Sequence, residues 1–383
     1  MIFEAHDHLE TVHFFELGLP PREPPRPVAF REPDYLDRFD HQVMVYDFIR
    51  TPRGVFGICP DLSTCASQLA ATQILSEPGA RPAARTLYSF DRTARLVLGD
   101  VPADAAALRL VGPRGEKAVY PGPARTELFA GRRCLLTISK NNRIEWIVDW
   151  VKFHVRTAGA DALLFYDNGT TLFPLAALEA ALRDSGLAVL VVVRWPFKWG
   201  ALGYPVRHRR RYWDSNFGQI GMFEHARWRY LAEARSVLNL DVDELAVSTV
   251  PGRGPFDLVE ADPGGYLCFE GVWVEHAPPL PPERRRHREF VLTNDPPSAS
   301  PSKWACVPGR IPEGVNWATH ALRTGHKTRF RGDTLTESIV FYHFRGVTSG
   351  WKSERSKSLE AERDIPRREE PRLRAAYAAA GWS

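Results

Sequence analysis

Apolar and polar residues follow two alternating periods between Arg133 and Val193. CLLTIS is a short apolar run of strand length. In the NRIEWIVDWVKFHVRTAG that overlaps the next element, Ile144, Ile147, Val148, Val151 and Val155 recur at helical spacing and Gly159 supplies a stop. ALLFY reads as a second strand and ends in DNGTT. Pro174 then opens PLAALEAALRDSG, a helix with Leu175, Leu178 and Leu182 on one side. LAVLVVVRW is almost continuously apolar, as expected for a strand buried on both faces. Strand, helix, strand, helix, strand predicts an α/β fold with a parallel sheet and crossover helices. Farther along, NFGQIGMFEHARWRYLAEAR predicts a longer helix with Phe217, Ile220, Phe223 and Tyr230 inward. SVLNLDVDELAV predicts a strand ending in carboxylates, ESIVFYHF a last strand, and the residues beyond it a charged helical tail.

The N-terminal third has a different pattern. PPREPPRPVAFREPDYLDRFD is rich in proline and charge and predicts irregular, extended chain. From Gln42 to Gly131 short β-type runs such as VFGIC, ARLVLG and ALRLVG alternate with turn residues, and VGPRGEKAVY has the form of a hairpin. The chain thus divides into an irregular Pro-rich segment (1–40), a small β-rich, sandwich-like accessory domain (41–131), a catalytic-type α/β domain (132–360) and a tail (361–383). The 383 residues suffice for two domains, and 44% hydrophobic with 25% charged residues excludes a disordered or fibrous chain. Fifty basic against 46 acidic residues, a formal charge of +4, exclude bulk nucleic-acid binding. The longest strongly apolar stretch, Leu187 to Val193, is too short to span a bilayer, and MIFEAHDHLE lacks the basic start and apolar run of a signal peptide. The five cysteines are scattered with no CxxC pair, which reads as reduced thiols. A cytoplasmic protein is expected.

Three motifs carry candidate chemistry. In Asp241-Val242-Asp243-Glu244, two acids at i and i+2 of an extended backbone would point the same way while Val242 enters the core. At the carboxyl end of a parallel strand they would overhang the crevice where open α/β sheets bind ligands. Hard oxygen ligands there suit Mg²⁺ or Mn²⁺, which can bridge a diphosphate. In DNGTT, Asp167 and Asn168 either cap the following helix, with Gly169 permitting a tight turn, or put Asp167 against a base or ribose. Ser139-Lys140-Asn141 precedes a helix N-terminus, which attracts anions and polar nucleotide groups.

The combination LLTISKNNRIEWIVDWVKFHVRTAGADALLFYDNGTT, RWP and LNLDVDEL resembles the glycosyltransferases of family 92 and their bacterial family-2-like relatives. Their K-N-E, E-W helix, Y-D-N-x-S/T and D-x-D-E elements are matched in order by Lys140, Asn141, Glu145, Trp146, His154, Tyr166, Asp167, Asn168, Asp241, Asp243 and Glu244. Asn142 stands where the family has the Glu of K-N-E, and Leu172 where an acid often closes the Y-D-N turn. Both positions lie where a nucleotide base would sit. The resemblance implies a GT-A fold that transfers a sugar from a nucleotide-sugar donor to a glycan or lipid-linked acceptor, with inversion, in bacterial surface polysaccharide or glycoconjugate synthesis. Ser139, Lys140, Asn141, Asp167, Asn168 and Asp241 would bind the nucleotide sugar. A Mn²⁺ or Mg²⁺ ion on Asp241 and Asp243 would act as a Lewis acid on the leaving diphosphate.

His343, in HFRGVTSGW, is the candidate third metal ligand, because that run resembles the H-x-x-G-x-x-K-P-W element of family 8 glycosyltransferases with Trp351 one position late. His320, in NWATHAL, is the rival. For the catalytic base, Glu270 after YLCF is the best-placed acid, with Asp333 and Glu275 as alternatives. The basic runs Arg207–Arg211 and Arg284–Arg288 are either solvated faces or sites for an acidic acceptor or the peripheral membrane surface. Lys352, Arg355 and Lys357 could approach the diphosphate instead. The alternative to an enzyme is a catalytically degenerate glycan-binding or scaffolding protein, favoured by Asn142 and Leu172. A nucleotidyltransferase would want a Gly-rich loop where SKNNR stands.

Overall fold

The computed structural model describes residues 1–201, 217–274, 281, 284–325, 328–332, 334–347 and 365–382. Among them, nine strands form one mixed, mostly parallel sheet: β1 (Ile2–His6), β2 (Arg133–Ser139), β3 (Ala162–Asp167), β4 (Val189–Arg194), β5 (Ser236–Asn239), β6 (Glu244–Ser248), β7 (Tyr266–Val274), β8 (Ala299–Cys306) and β9 (Thr336–Phe344). Their order across the sheet is β1-β4-β3-β2-β5-β8-β7-β9-β6. The block from β1 to β5 is parallel throughout, and β8 enters antiparallel to β5.

The apolar runs explain the parallel block. β3 is buried at all six positions, and β4 at all but its last. Two core clusters take the alternate side chains: Leu136, Leu164 and Val191 on one face, Leu135, Leu163 and Leu190 on the other. Helix α1 (Ile144–Ala158) covers the second face and ends at Gly159, whose φ of 73° is the left-handed cap that glycine adopts without penalty. Its most buried stripe is Trp146, Ile147, Trp150, Val151, Phe153 and His154, so the aromatic residues define the inner face along with the aliphatic positions of the helical repeat. Helix α2 (Leu175–Leu182) starts after Pro174 and buries Leu178 and Leu182.

Three parts of the chain differ from the pattern-based reading. Residues 2–6, read as irregular, form the edge strand β1, paired in parallel with Val189–Val193. Only the sheet edge offers their backbone groups partners, which no local pattern reveals. The β-type runs form two sheets, of four and five strands, which share a cluster containing Val55, Leu96, Ile74 and Leu108. The five-stranded sheet also places Ile49, Phe56 and Ile58 in the cluster that covers the large sheet. The charged tail pairs Arg367–Glu369 with Leu292–Asn294 and buries Leu373 and Tyr377 of helix Pro371–Ala379 against the large sheet's second face.

Helix α3 (Phe217–Ala226), which continues as a π-helical turn over Arg227–Leu231, is buried at every position between the two sheet systems. Gly221 is required there: a Cβ would lie 2.5 Å from the Tyr46 ring. No helix among the described residues is long and apolar enough to cross a membrane.

Buried histidines tie these layers together. His154 Nδ1 faces the Trp150 carbonyl at 2.8 Å, and its Nε2 accepts the Ala246 N–H at 3.1 Å, joining α1 to β6. That pairing requires the neutral ring, and burial pushes its pKa down to about 3 from 6.5. Burial also lowers His6 and His320, each to about 4, and lowers His225 and His287. The unfolded chain therefore binds more protons than the folded one below pH 6.5, so stability is full above that value and is lost as pH falls toward the folded-state pKa values. The urea midpoint should fall steadily from pH 7 to pH 4.5. A level or rising midpoint over that interval would contradict the buried neutral assignment.

Candidate active site

A cleft of about 640 Å³ opens along the carboxyl ends of the parallel strands. β2 brings Ser139 and the Lys140–Asn142 turn, β3 delivers Asn168, and the chain after β4 contributes Pro196 to Gly200. The turn after β5 brings Asp241 to Glu244. The opposite wall comes from Trp273 of β7, Ser300 of β8, His343 of β9, and Thr319 and His320 between them. Asp37 and Arg38 reach the same cleft from the Pro-rich segment, held there by Tyr35 and Phe39, which pack with Ala201 and Phe217.

Asp241 to Asp243 do not lie on an extended strand. The Glu244 N–H donates to the Asp241 carbonyl at 3.0 Å, which closes a turn between β5 and β6. Val242 is buried as expected, but the two aspartates acquire different partners. The Asp243 carboxylate faces His343 Nε2 at 3.2 Å, and its carbonyl accepts the Phe344 N–H at 2.8 Å. Asp241 Oδ2 meets the Lys303 ammonium at 2.8 Å. Lys303 also contacts Glu244 Oε2 at 3.0 Å, an oxygen that accepts the Asp241 N–H as well. Asp243, Glu244 and His343 each offer a ligand atom within 4.8 Å of the others, so Glu244 stands in this cluster where the sequence pattern suggested Asp241.

The surroundings hold these groups in place. His343 Nδ1 contacts Ser300 Oγ at 2.9 Å and lies 3.5 Å from Glu244 Oε1, while its ring stacks on Trp273 at 3.9 Å between centroids. Burial opposes the charge on Lys303, but Asp241 and Glu244 outweigh it and raise its pKa. Burial, together with Asp241 and Asp243, pushes the Glu244 carboxyl up against the pull of Lys303. Lys303 and Glu244 were not singled out from the sequence as a pair, because their contact spans two strands.

The other sequence-predicted residues divide. Ser139, Lys140, Asn141, Asn168 and Asp241 all line the cleft. Asn141 sits at φ 55°, and its side-chain oxygen accepts the Thr171 N–H at 2.8 Å, tying the β2 turn to the β3 turn. Asn168 donates to the Trp195 and Phe197 carbonyls at 2.6 and 2.8 Å. Asp167 is buried, accepts the Thr170 N–H at 2.9 Å within its own turn and does not line the cleft; the helix that follows has Pro174 at its N-cap and no side-chain cap, so Asp167 does not cap it. His320 lines the cleft with Nδ1 on the Ser302 carbonyl at 3.0 Å, away from the three-residue cluster.

Glu270 is exposed at a bulge in β7 and does not line the cleft. Gly271 adjoins the bulge, and any Cβ there would strike the Phe341 ring. Asp333, Glu275, Trp351, Lys352, Arg355, Lys357 and the run Arg207–Arg211 lie outside the described residues. Within the run Arg284–Arg288, Arg284 and Arg288 are exposed, while Arg286 and His287 are engaged. Arg286 forms two 2.6 Å bonds to Asp149 of α1, Trp146 Nε1 donates to the Arg285 carbonyl, and His287 is buried against the Val242 carbonyl.

No family model and no curated protein matches the chain. Among solved structures it is similar to the galactosyltransferase LgtC in complex with donor and acceptor sugar analogues, at 14% identity and a TM-score of 0.26, over 46% of this chain and 58% of that one. An active-site mutant of LgtC matches at 18% identity and a TM-score of 0.22, over 37% and 48%. The apo structure of the bifunctional glycosyltransferase WbbM matches at 8% identity and a TM-score of 0.26, over 70% and 42%. The chain spans about half the length of these glycosyltransferases.

Proposed function

We propose that this chain is a metal-dependent glycosyltransferase of GT-A type, moving a sugar with inversion from a nucleotide-sugar donor to a glycan or lipid-linked acceptor in bacterial surface polysaccharide or glycoconjugate synthesis. The observation that carries the reading is the gathering of Asp243, Glu244 and His343 at the carboxyl edge of the parallel strands, inside the cleft that Ser139, Lys140 and Asn141 also line. Two carboxylates and an imidazole form a mixed oxygen and nitrogen donor set, which fits Mn²⁺ and, with more waters, Mg²⁺. Asp243 and His343 would hold the ion, with Ser300 and Trp273 fixing the imidazole. When bound, the ion supplies Lewis-acid neutralisation of a leaving diphosphate.

The chain's own groups do the rest. The open edge of Asp241 and the Ser139–Asn141 turn contact the donor, and Asn168 braces the chain that forms the cleft floor. As general base, Glu270 is disfavoured because it faces solvent outside the cleft, which leaves Asp333 and Glu275, both outside the described residues. The test is calorimetric titration with UDP, GDP, CDP and CMP, each with Mn²⁺ and then with EDTA. Micromolar binding of one nucleotide, abolished by EDTA, is the expected result. Folded protein that binds none of the four would overturn the reading and turn attention to glycan binding without catalysis.

A further inference from the structure

Lys303 contacts two carboxylates of the Asp241–Glu244 turn, Asp241 at 2.8 Å and Glu244 at 3.0 Å. Its side chain is 1% exposed, and so is that of Glu244, whereas that of Asp241 is 35% exposed. An ammonium this deep persists only with charge partners. Its position on β8 is fixed by pairing on both sides, opposite Phe269 of β7 and next to Trp304, which pairs with Asn239. The ammonium is therefore held by the sheet and not by a mobile loop.

We infer that Lys303 is a positioning residue that occupies Asp241 Oδ2 and Glu244 Oε2, so that the site takes one divalent ion at Asp243 and His343 and not a second at Asp241 and Glu244. This rests on the metal reading of the site proposed above. Three carboxylates crowd one short turn, and oxygen ligands of this kind are what divalent ions take. Lys303 supplies to Asp241 and Glu244 the positive charge that a second ion would supply. It also closes the turn, since the same Glu244 oxygen accepts the Asp241 N–H. Asp243 Oδ2 faces His343 Nε2 at 3.2 Å.

The experiment is Mn²⁺ binding by calorimetry and by the electron paramagnetic resonance signal of free Mn²⁺, with no nucleotide present. The wild type should bind one ion. Lys303→Met keeps the length of the side chain and removes its charge, and should bind Mn²⁺ at least tenfold more tightly or take up a second ion. Lys303→Arg should restore one ion, within threefold of the wild-type affinity. A folded Lys303→Met protein that binds one ion with unchanged or weaker affinity would overturn the inference. Should Lys303→Met fail to fold, Asp241→Asn decides: one ion with affinity within threefold of wild type supports the inference, and a tenfold loss puts Asp241 in the ligand set and overturns it. A wild type that binds no Mn²⁺ overturns the metal reading itself, before any variant is compared.

Discussion

Asp243→Asn is expected to lower sugar transfer at least about a hundredfold while leaving the protein folded. The substitution keeps the size of the side chain, and an amide can still meet His343 Nε2, 3.2 Å from the present carboxylate. The backbone carbonyl of residue 243, which accepts the Phe344 N–H, is untouched. What disappears is one negative charge at the mouth of the site, where the side chain of Asp243 is 15% exposed and so within reach of a cation. Loss of that charge should weaken Mn²⁺ binding and, with it, the binding of whichever nucleotide the calorimetry identifies. The checks are donor-sugar hydrolysis or transfer rates and a thermal melt on the same preparation. Activity within fivefold of wild type, with the melt unchanged, would remove Asp243 from the proposed chemistry.

The parts of this architecture that sequence reading found are those governed by local rules. The runs that became β2, β3 and β4 are apolar because both faces are covered, and Gly159 ends α1 because a left-handed residue must. Composition marks the acidic motif but not its geometry. The i and i+2 rule assumes extended backbone, and here a turn sends Asp241 toward Lys303 and Asp243 toward His343. The motif HFRGVTSGW marks His343 on β9 as a partner of the aspartates, whereas the place of Lys303 on β8 beside the turn is a matter of sheet order and leaves no local trace. The same holds for Arg286, whose carboxylate partner Asp149 belongs to α1, so one arginine of a run that looks solvated is half-buried and paired. Asp37 and Arg38 were hidden for another reason: Pro-rich chain has no period, and its place on the cleft wall is set by Tyr35 and Phe39 packing beside Phe217.

Glu224→Ala should cost about 3–5 kcal/mol of stability, because it strands the Arg95 guanidinium in the interior. Arg95 lies in the five-stranded sheet (Thr93–Gly99) and Glu224 on α3; they meet at 2.8 Å with side chains 3% and 1% exposed. Trp228 Nε1 donates to the same Glu224 oxygen at 2.8 Å, and its ring lies under the Arg95 guanidinium at 4.5 Å. A second buried chain runs parallel to it: Tyr166 of β3 contacts His225 Nδ1 at 2.7 Å, and His225 Nε2 contacts Asp47 Oδ2 at 3.0 Å. Burial lowers His225, and the Asp47 carboxyl is held below its usual range by His225 and Arg229 despite its own burial. These contacts, and the shared cluster of Ile49, Phe56, Leu136 and Leu164, join the β-rich part to the large sheet, and the two are expected to unfold together. Urea unfolding of the Glu224→Ala protein, followed by tryptophan fluorescence and by far-ultraviolet circular dichroism, should therefore shift as a single transition. The double variant Arg95→Leu with Glu224→Leu should recover most of the loss, since an apolar pair leaves no stranded charge. A shift below about 1 kcal/mol, or two separated transitions, would mean that the β-rich part stands apart from the large sheet.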